Sequence, residues 1–163
     1  MPRARRLVLA LALLTSAVPA RALDPSRRLT QYVHDVWRAP QALPYDGVSA
    51  VVQSRDGYLW VGTVEGLARF DGLRSVVFDK GNTPAFGNNW VKALLEDRAG
   101  RLWIGTYGGG LVCREQGRFR RLGEADGLPQ EVVLALAEDQ AGRLWVGTHG
   151  GGVLRLEAGA ARF

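Results

Sequence analysis

Short apolar runs separated by glycine-containing polar turns make up most of the chain from Val48 onward. The runs are about five residues long and lack the 3.6-residue periodicity of an amphipathic helix. In the recurring strings LWVGT and LWIGT, bulky residues point to both sides, as in a strand whose sheet is covered on both faces. The pattern therefore predicts a series of short, buried β-strands connected by tight turns.

One long segment of this pattern occurs three times. The copies read VSAVVQSRDGYLWVGT, VKALLEDRAGRLWIGT and VLALAEDQAGRLWVGT, and begin at Val48, Val91 and Val133. When the second and third copies are aligned from Val91 and Val133, 15 of 23 positions are identical. The repeated tryptophans, Trp60, Trp103 and Trp145, are 43 and 42 residues apart. A fixed period of this length indicates a repeat architecture.

Each copy is predicted to form four strands. The first strands are Val48 to Val52, Val91 to Leu95 and Val133 to Ala137, and the second strands contain LWVGT or LWIGT. The third are Leu67 to Phe70, Leu111 to Arg114 and Val153 to Leu156, and the fourth are Arg74 to Phe78, Arg118 to Leu122 and Ala160 to Phe163. Turns between the first two strands close on Gly57, Gly100 and Gly142.

Four-stranded antiparallel meanders repeated at about 42 residues predict an all-β fold of β-propeller blades in an incomplete ring. The predicted blades span residues 48–90, 91–132 and 133–163. A parallel β-helix would have shorter coils and a helical solenoid would show helical periodicity, which leaves a stack of hairpins as the remaining alternative.

The repeated tryptophans and glycines are predicted to be structural. We expect Trp60, Trp103 and Trp145 to pack between blades, at a cost of about 3 to 5 kcal/mol for truncation to alanine where they are buried. A glycine two residues later shares the face of each tryptophan and leaves room for the adjoining blade: Gly62, Gly105 and Gly147. Small residues also occupy the third position of each first strand, where innermost strands converge on the propeller axis: Ala50, Ala93 and Ala135.

The N-terminus has the pattern of a secretory signal peptide, residues 1–22. Three arginines precede an apolar stretch from Leu7 to Val18, and Ala20-Arg21-Ala22 is a small-x-small cleavage site. Cleavage after Ala22 predicts a periplasmic or otherwise exported protein, and the apolar stretch is too short to span a membrane. It also removes four of the 21 basic residues and none of the 16 acidic ones, so the mature chain is nearly neutral. This balance argues against a nucleic-acid partner.

Candidate chemistry is sparse. The single cysteine, Cys113, cannot form an intramolecular disulfide, and the two histidines, His34 and His149, lack partners at ligand spacing, so no metal site is predicted. We identify no catalytic residues, no cofactor motif and no phosphate-binding loop, since the glycines of Tyr107-Gly108-Gly109-Gly110 precede a strand rather than a helix. Some propellers are lyases or hydrolases, so a fragment of a propeller enzyme remains an alternative.

The repeated string V-x-A-x-x-E-D-x-x-G-x-L-W-[IV]-G-T-x-G-G-G resembles the two-component regulator propeller repeat. The resemblance extends from Val48 to Phe163 and includes the segment LDPSRRLTQYVHDVW with Ala42-Leu43-Pro44; Asp126-Gly127-Leu128-Pro129 is the commoner form of that loop. It implies the exported sensor region of a hybrid histidine kinase or a diguanylate cyclase, which acts in a phosphorelay. Within residues 23–47, a strand near Tyr32 to Trp37 would then complete the last blade and latch the ring.

The match to this family is incomplete, because closing a propeller ring takes four to eight blades. The chain holds two complete units and most of a third, without kinase or cyclase motifs. We therefore expect either a truncated sensor whose output domain is missing, or a self-assembling module that closes its ring with further blades or a second copy. Uncovered blade faces predict poor solubility of the isolated monomer.

Loops at the mouth of a propeller channel are the predicted ligand-binding surface. Glu65, Tyr107 and His149 are predicted to occupy equivalent positions before glycines in the loops between second and third strands, and they differ between repeats whose surroundings do not. The connector before the second blade adds Asn88, Asn89 and Trp90, an aromatic beside amides that suits a sugar or a peptide. The predicted partner is an unidentified small molecule, glycan or peptide.

Overall fold

A computed structural model describes residues 35–39, 42–129 and 131–157. The predicted signal peptide, the start of the latch strand (Tyr32 to His34) and the predicted last strand (Ala160 to Phe163) lie outside the described residues.

The described residues form eleven β-strands in the predicted order. They are β1 (Val48–Gln53), β2 (Leu59–Thr63), β3 (Leu67–Phe70), β4 (Ser75–Phe78), β5 (Val91–Glu96), β6 (Leu102–Thr106), β7 (Leu111–Glu115), β8 (Arg118–Leu122), β9 (Val133–Glu138), β10 (Leu144–Thr148) and β11 (Val153–Leu156). One turn of 3₁₀-helix, Glu124–Asp126, interrupts the connector between β8 and β9.

The strands form three antiparallel sheets, with each strand beside its neighbour in the chain. Their orders are β1-β2-β3-β4, β5-β6-β7-β8 and, for the described part of the third, β11-β10-β9. The all-β propeller-blade prediction is therefore confirmed, with strand ends shifted by only a residue or so. We number the sheets blade 1, blade 2 and blade 3 in chain order.

Tight turns explain why these short strands pair with their neighbours. Gly57, Gly100 and Gly142 close the first turn of each blade with φ of 90°, 80° and 76°, a region that other residues adopt rarely. Each of these glycine amides donates to the carbonyl three residues earlier, on Ser54, Asp97 or Asp139. The hairpins are thus determined locally, before any contact between blades.

Each blade has two distinct faces because side chains alternate along its strands. The tryptophan face carries Trp60, Trp103 or Trp145. The aliphatic face carries Leu59 and Val61, Leu102 and Ile104, or Leu144 and Val146. The tryptophan face of one blade packs on the aliphatic face of the next.

At the junction of blades 1 and 2, Trp60 is fully buried among apolar residues of blade 2 that include Val91, Leu102 and Ile104. A Cβ added to Gly62 would lie 2.5 Å from Val91 Cγ1, so only glycine fits here. The junction of blades 2 and 3 repeats the arrangement with Trp103, Gly105 and Val133, where the corresponding distance is 2.6 Å.

Trp145 differs from the other two tryptophans because no further blade covers it among the described residues. Its side chain is partly exposed, whereas Trp60 and Trp103 are 0% and 1% exposed. The predicted cost of truncation to alanine was given for buried tryptophans, so it applies to Trp60 and Trp103 and not to Trp145.

The connectors between blades each insert one apolar side chain into a junction. Phe86 and Leu128 lie five residues before the first strand of the next blade and are 2% and 0% exposed. Leu43 occupies the same position before Val48, and it lines an apolar cavity against blade 1. These wedge residues lie in the loop that the family resemblance includes, but the repeat pattern alone did not predict their burial.

Polar contacts form a second repeated link between blades, which we call the turn clasp. The backbone N–H of Arg55 donates to Glu96 Oε2 at 2.9 Å, and its Nη1 donates to the Arg98 carbonyl at 2.7 Å. Arg98 repeats both contacts on blade 3, with the carboxylate of Glu138 and the Gln140 carbonyl. The first turns of successive blades are thereby held in register.

The predicted latch strand is not a strand in its described part, since Asp35 to Arg38 adopt no regular structure. Trp37 instead packs on Phe70, with ring centroids 5.2 Å apart. The segment is held by a turn in which the Ala39 N–H donates to Asp46 Oδ1 at 2.8 Å. In the part of the chain that the structure describes, we find no helix long and apolar enough to cross a membrane.

Candidate ligand-binding surface

The loops predicted to surround the channel mouth meet on one side of the blades. The Tyr107 N–H donates to the Trp90 carbonyl at 2.8 Å, and Tyr107 also forms a β-bridge with Val132. The His149 N–H donates to the Val132 carbonyl at 3.0 Å in the same way. The loop between the second and third strands of a blade is therefore attached to the connector that enters that blade.

Trp90 and Tyr107 form an exposed aromatic platform. Their ring centroids are 4.7 Å apart with planes inclined by 32°, and the side chains are 36% and 39% exposed. Lys92 Nζ lies 4.7 Å from the centre of the Trp90 ring, within the range of a cation–π contact. Aromatic surface and a cationic group thus occur together on this surface.

The two predicted asparagines hold the connector that carries Trp90. Asn88 Oδ1 accepts a hydrogen bond of 2.9 Å from the Trp90 N–H. Asn89 Oδ1 accepts one of 2.8 Å from the Lys80 N–H, across the connector. The side-chain oxygens of Asn88 and Asn89 therefore stabilise the conformation of the connector.

The loop that carries Tyr107 is anchored on its other side by Glu131. The Glu131 carbonyl accepts hydrogen bonds from Gly108 N–H at 3.1 Å and Gly110 N–H at 2.8 Å. A Cβ on Gly109 would lie 2.5 Å from the Asn88 nitrogen, so the loop approaches the preceding connector too closely for any side chain. Tyr107 is consequently positioned by the connectors on both sides of its blade.

A polar cleft of about 420 Å³ lies beside this anchor. The carboxylate of Glu131 pairs with Arg121 across it, and Glu124 and Asp126 of the 3₁₀ turn also line it. The ion pair joins the end of β8 to the connector that leads into blade 3. The repeat pattern did not indicate this pair, because neither residue recurs in the other blades.

The three predicted loop residues are not equivalent in space. The loop of blade 1 is one residue shorter, so Val64, and not Glu65, follows Thr63 as Tyr107 follows Thr106. Glu65 is exposed, and its N–H donates to Thr63 Oγ1 at 3.2 Å. His149 does correspond to Tyr107 and is exposed on blade 3. Counting from the repeated threonines, Thr63, Thr106 and Thr148, shows this offset in the sequence.

The structure therefore brings together Tyr107, Trp90 and, by backbone contact, Asn88, while Glu65 and His149 belong to other blades. Sequence reasoning missed Lys92, although its position two residues after Trp90 on an extended segment places both on one side. A planar ring surface beside an ammonium group can stack on a sugar or aromatic ring and attract an anionic substituent.

Within the described ranges, no group of three or more His, Cys, Asp or Glu side chains could hold a metal ion. Cys113 is only 6% exposed, and burial, opposed in part by the nearby Arg101, raises the pKa of its thiol to about 11. Such a thiol stays protonated near neutral pH and is a poor nucleophile.

Comparison with known families identifies the repeat. The profile of the family described as two component regulator propeller matches residues 42–65, 85–108 and 127–150. Each match runs from the wedge region of a connector to the loop after the second strand. Among curated proteins, none matches the chain by sequence.

Solved structures with the same fold include extracellular domains of two hybrid two component systems from B. thetaiotaomicron. For BT3049 the sequence identity is 24% and the TM-score 0.64, over 77% of this chain and 18% of that one. For BT4673 the values are 22% and 0.57, over 69% and 17%. PorZ, a surface component of the type-IX secretion system of Porphyromonas gingivalis, is 18% identical with a TM-score of 0.56, over 73% and 19%. The chain spans about a fifth of each of these proteins.

Proposed function

Because the chain carries three repeats of the two component regulator propeller family, we propose that it is the ligand-sensing propeller region of a two-component sensor. The ligand is a small molecule, glycan or peptide that binds at the mouth surface formed by Trp90, Tyr107 and Lys92. A domain elsewhere in the sensor, of the histidine kinase or diguanylate cyclase type, carries the output.

The observation that supports this role is the exposed aromatic platform on loops anchored by rigid blades. Exposed aromatic pairs beside a cation are common in binding sites, because they offer contact area at low cost in conformational entropy. Repeated positions such as Trp60 and Trp103 are buried for packing, whereas Trp90 does not recur in the other connectors. A large aromatic residue that is neither repeated nor buried suggests a role in recognition.

Signal transmission in this proposal uses the same hydrogen bonds. Tyr107 is bonded to the connector before its blade, and the adjacent Gly108 and Gly110 are bonded to the connector after it. A ligand that binds Tyr107 differently in two arrangements of the blades shifts the equilibrium between them by its difference in affinity.

Export to the periplasm supports the same role. The N-terminal pattern of a cleavable signal peptide would place the blades outside the cytoplasm. The relatives of known structure are described as extracellular domains, which agrees with this location.

The test is a thermal-shift screen of the purified chain against neutral oligosaccharides, acidic oligosaccharides and short peptides. We expect one class to raise the Tm, and we expect Trp90→Ala and Tyr107→Ala to remove that shift. Leu73→Ala is the matched control, because Leu73 is 92% exposed at the turn between β3 and β4, away from the mouth loops. A shift that persists in both aromatic variants would place the ligand elsewhere, and no shift with any class would contradict a ligand of these kinds.

A further inference from the structure

We infer that the second residue of the repeated string V-x-A determines ligand specificity, and that Lys92 at this position selects a ligand with a carboxylate on a ring. The inference rests on the proposed function, because it concerns the same mouth surface. It adds the chemical class of the ligand, which acidic sugars and aromatic acids share.

The first strand of each blade contains a β-bulge at the same place. In blade 2 the ladder pairs Val91 and Ala93 with β6 and passes over Lys92. The bulges of blades 1 and 3 pass over Ser49 and Leu134 in the same way. A bulge leaves its extra residue unpaired and re-aims the side chain out of the regular alternation of the strand. One residue per blade is therefore released from the constraints on its neighbours.

The residues on either side of the bulge are the same in every blade, whereas the bulged residue differs. Valine precedes it and alanine follows it in all three first strands. The valines of blades 2 and 3, Val91 and Val133, are fully buried at the junctions. The bulged residue is serine, lysine and leucine in turn, and Leu134 is 40% exposed. Packing between blades thus accounts for the neighbours but not for the bulged residue, which suits a position used for recognition.

The bulges of successive blades lie next to one another on the innermost strands. β1 lies against β5, and β5 lies against β9. The Ser49 hydroxyl donates to the carbonyl of Val91, which directly precedes Lys92. The blades of a propeller surround a central channel, and each bulge directly follows the start of its first strand, at the mouth end. Each blade therefore contributes one bulged residue to the channel near its mouth.

The ammonium group of Lys92 has no carboxylate partner in the part of the chain that the structure describes. Arg101, Arg121 and Arg143, by contrast, each form an ion pair. Lys92 Nζ lies 4.7 Å from the centre of the Trp90 ring, and no oxygen atom of the described residues accepts a hydrogen bond from it. An ammonium carries three N–H donors, which an aromatic ring does not supply with lone pairs. These donors can bind a carboxylate beside the platform.

The platform and the ammonium together fit a ligand that carries both a ring and a carboxylate. The rings of Trp90 and Tyr107 are partly exposed and provide a stacking surface. A hydrogen bond between an ammonium and a carboxylate is roughly twice as strong as one between neutral groups. A neutral ester or amide of the same ring loses this advantage and should bind more weakly.

The experiment measures the affinity of the full chain, by isothermal titration calorimetry, for two pairs of probes in which the acid is matched with a neutral form. One pair is trigalacturonic acid and its fully methyl-esterified form, and the other is para-hydroxybenzoate and para-hydroxybenzamide. We expect the acid of one pair to bind about tenfold or more tightly than its neutral form. The pair that shows this preference identifies the ligand as an acidic sugar or an aromatic acid.

Lys92→Gln should remove the preference for the acid, because glutamine keeps hydrogen-bonding groups but carries no charge. Lys92→Arg should retain most of it. The matched control is Arg118→Gln, which removes the same charge from an exposed side chain beside the turn between β7 and β8, at the end of blade 2 away from the mouth loops. The control should keep the full preference, and a preference that survives in Lys92→Gln would overturn the inference.

The outcomes distinguish this inference from the proposed function. Equal affinity for acid and neutral forms, with both lost in Trp90→Ala, would mean that the mouth surface binds a ring without selection by Lys92, and the inference alone would fail. Absence of binding by both acids would also overturn the inference. In that case the screen with neutral oligosaccharides and peptides still decides the proposed function.

Discussion

The indole Nε1 of Trp103 donates a hydrogen bond of 2.8 Å to Asp97 Oδ2, six residues earlier in the same blade. Asp97 also accepts from the backbone and guanidinium of Arg101, so its carboxylate is satisfied although it is only 2% exposed. Trp145 makes the same bond to Asp139, and Trp60 makes it to Ser54. The residue that packs between blades is therefore also bonded to the first turn of its own blade.

Removal of this acceptor should destabilise blade 2 more than blade 3. Asp97→Ala leaves the buried indole N–H of Trp103 without its partner, at an expected cost of about 1 to 3 kcal/mol in the free energy of unfolding. Asp139→Ala should cost less, because Trp145 is partly exposed and its N–H can bond to water. Urea denaturation followed by tryptophan fluorescence measures both, and an equal loss for the two variants would contradict the explanation.

Acid should destabilise the protein through the same carboxylate. Burial acts to raise the pKa of Asp97, but hydrogen bonds from Trp103 and Arg101 together outweigh it and lower the pKa. Because the folded-state pKa is lower than the unfolded value of about 3.9, this stabilisation is fully present above that pH. It is lost as the pH falls further, through the folded-state pKa. Urea midpoints measured from pH 7 to pH 2.5 should fall less steeply for Asp97→Asn than for the unaltered chain.

Truncation of a repeated tryptophan should destabilise the protein more where a neighbouring blade covers the side chain than where none does. Trp103→Ala should lower the free energy of unfolding by about 3 to 5 kcal/mol. The reason is the large cavity that it leaves among Leu144, Val146 and Val133. Trp145→Ala should lower the free energy of unfolding clearly less, because Trp145 is partly exposed in the described part of the chain. Since the first variant could fail to fold, Trp103→Phe provides a milder comparison against Trp145→Phe.

The close approach at Gly105 predicts an overpacking penalty. Gly105→Ala places its Cβ 2.6 Å from Val133 Cγ1, so blades 2 and 3 must separate, at a cost of about 1 to 3 kcal/mol. Gly147→Ala meets only Ala135, whose Cβ is 3.3 Å away, and should lower the free energy of unfolding clearly less. Val133→Ala added to Gly105→Ala should relieve part of the penalty; a strictly additive double variant would argue against steric contact as the cause.

The thiol of Cys113 should be unreactive in the folded protein. Its burial and its pKa of about 11 leave almost no thiolate at pH 8. An aromatic disulfide reagent is expected to react completely in guanidinium chloride and more than a hundredfold more slowly in buffer. Fast reaction in buffer would show that the junction of blades 2 and 3 opens readily.

Much of the fold was predictable because its determinants are local. Gly57, Gly100 and Gly142 specify tight turns whatever surrounds them, and alternation in LWVGT specifies which residues share a face. The period then identified the blade as the repeating unit. The described end of the predicted latch segment, Asp35 to Trp37, lacks such local determinants and is not a strand, and the position of Trp37 depends on its contact with Phe70.

The ligand-binding surface was predictable only in outline. The sequence alone indicated which loops lie at the mouth and that Tyr107 and Trp90 belong to them. The predicted equivalence of Glu65 and Tyr107 is wrong, because both residues precede a glycine but the loop of blade 1 is one residue shorter. The support of the Tyr107 loop by Glu131 was not visible in the sequence, since Glu131 lies in the connector after β8, far from that loop along the chain, and the two meet only through packing.

The sequence by itself thus determined the strands, turns and repeating blades, because these follow from contacts between residues close together in the chain. The tertiary structure decided which tryptophans are buried and where the wedge residues Phe86 and Leu128 insert. Those features depend on how one blade lies against the next, which no single repeat encodes.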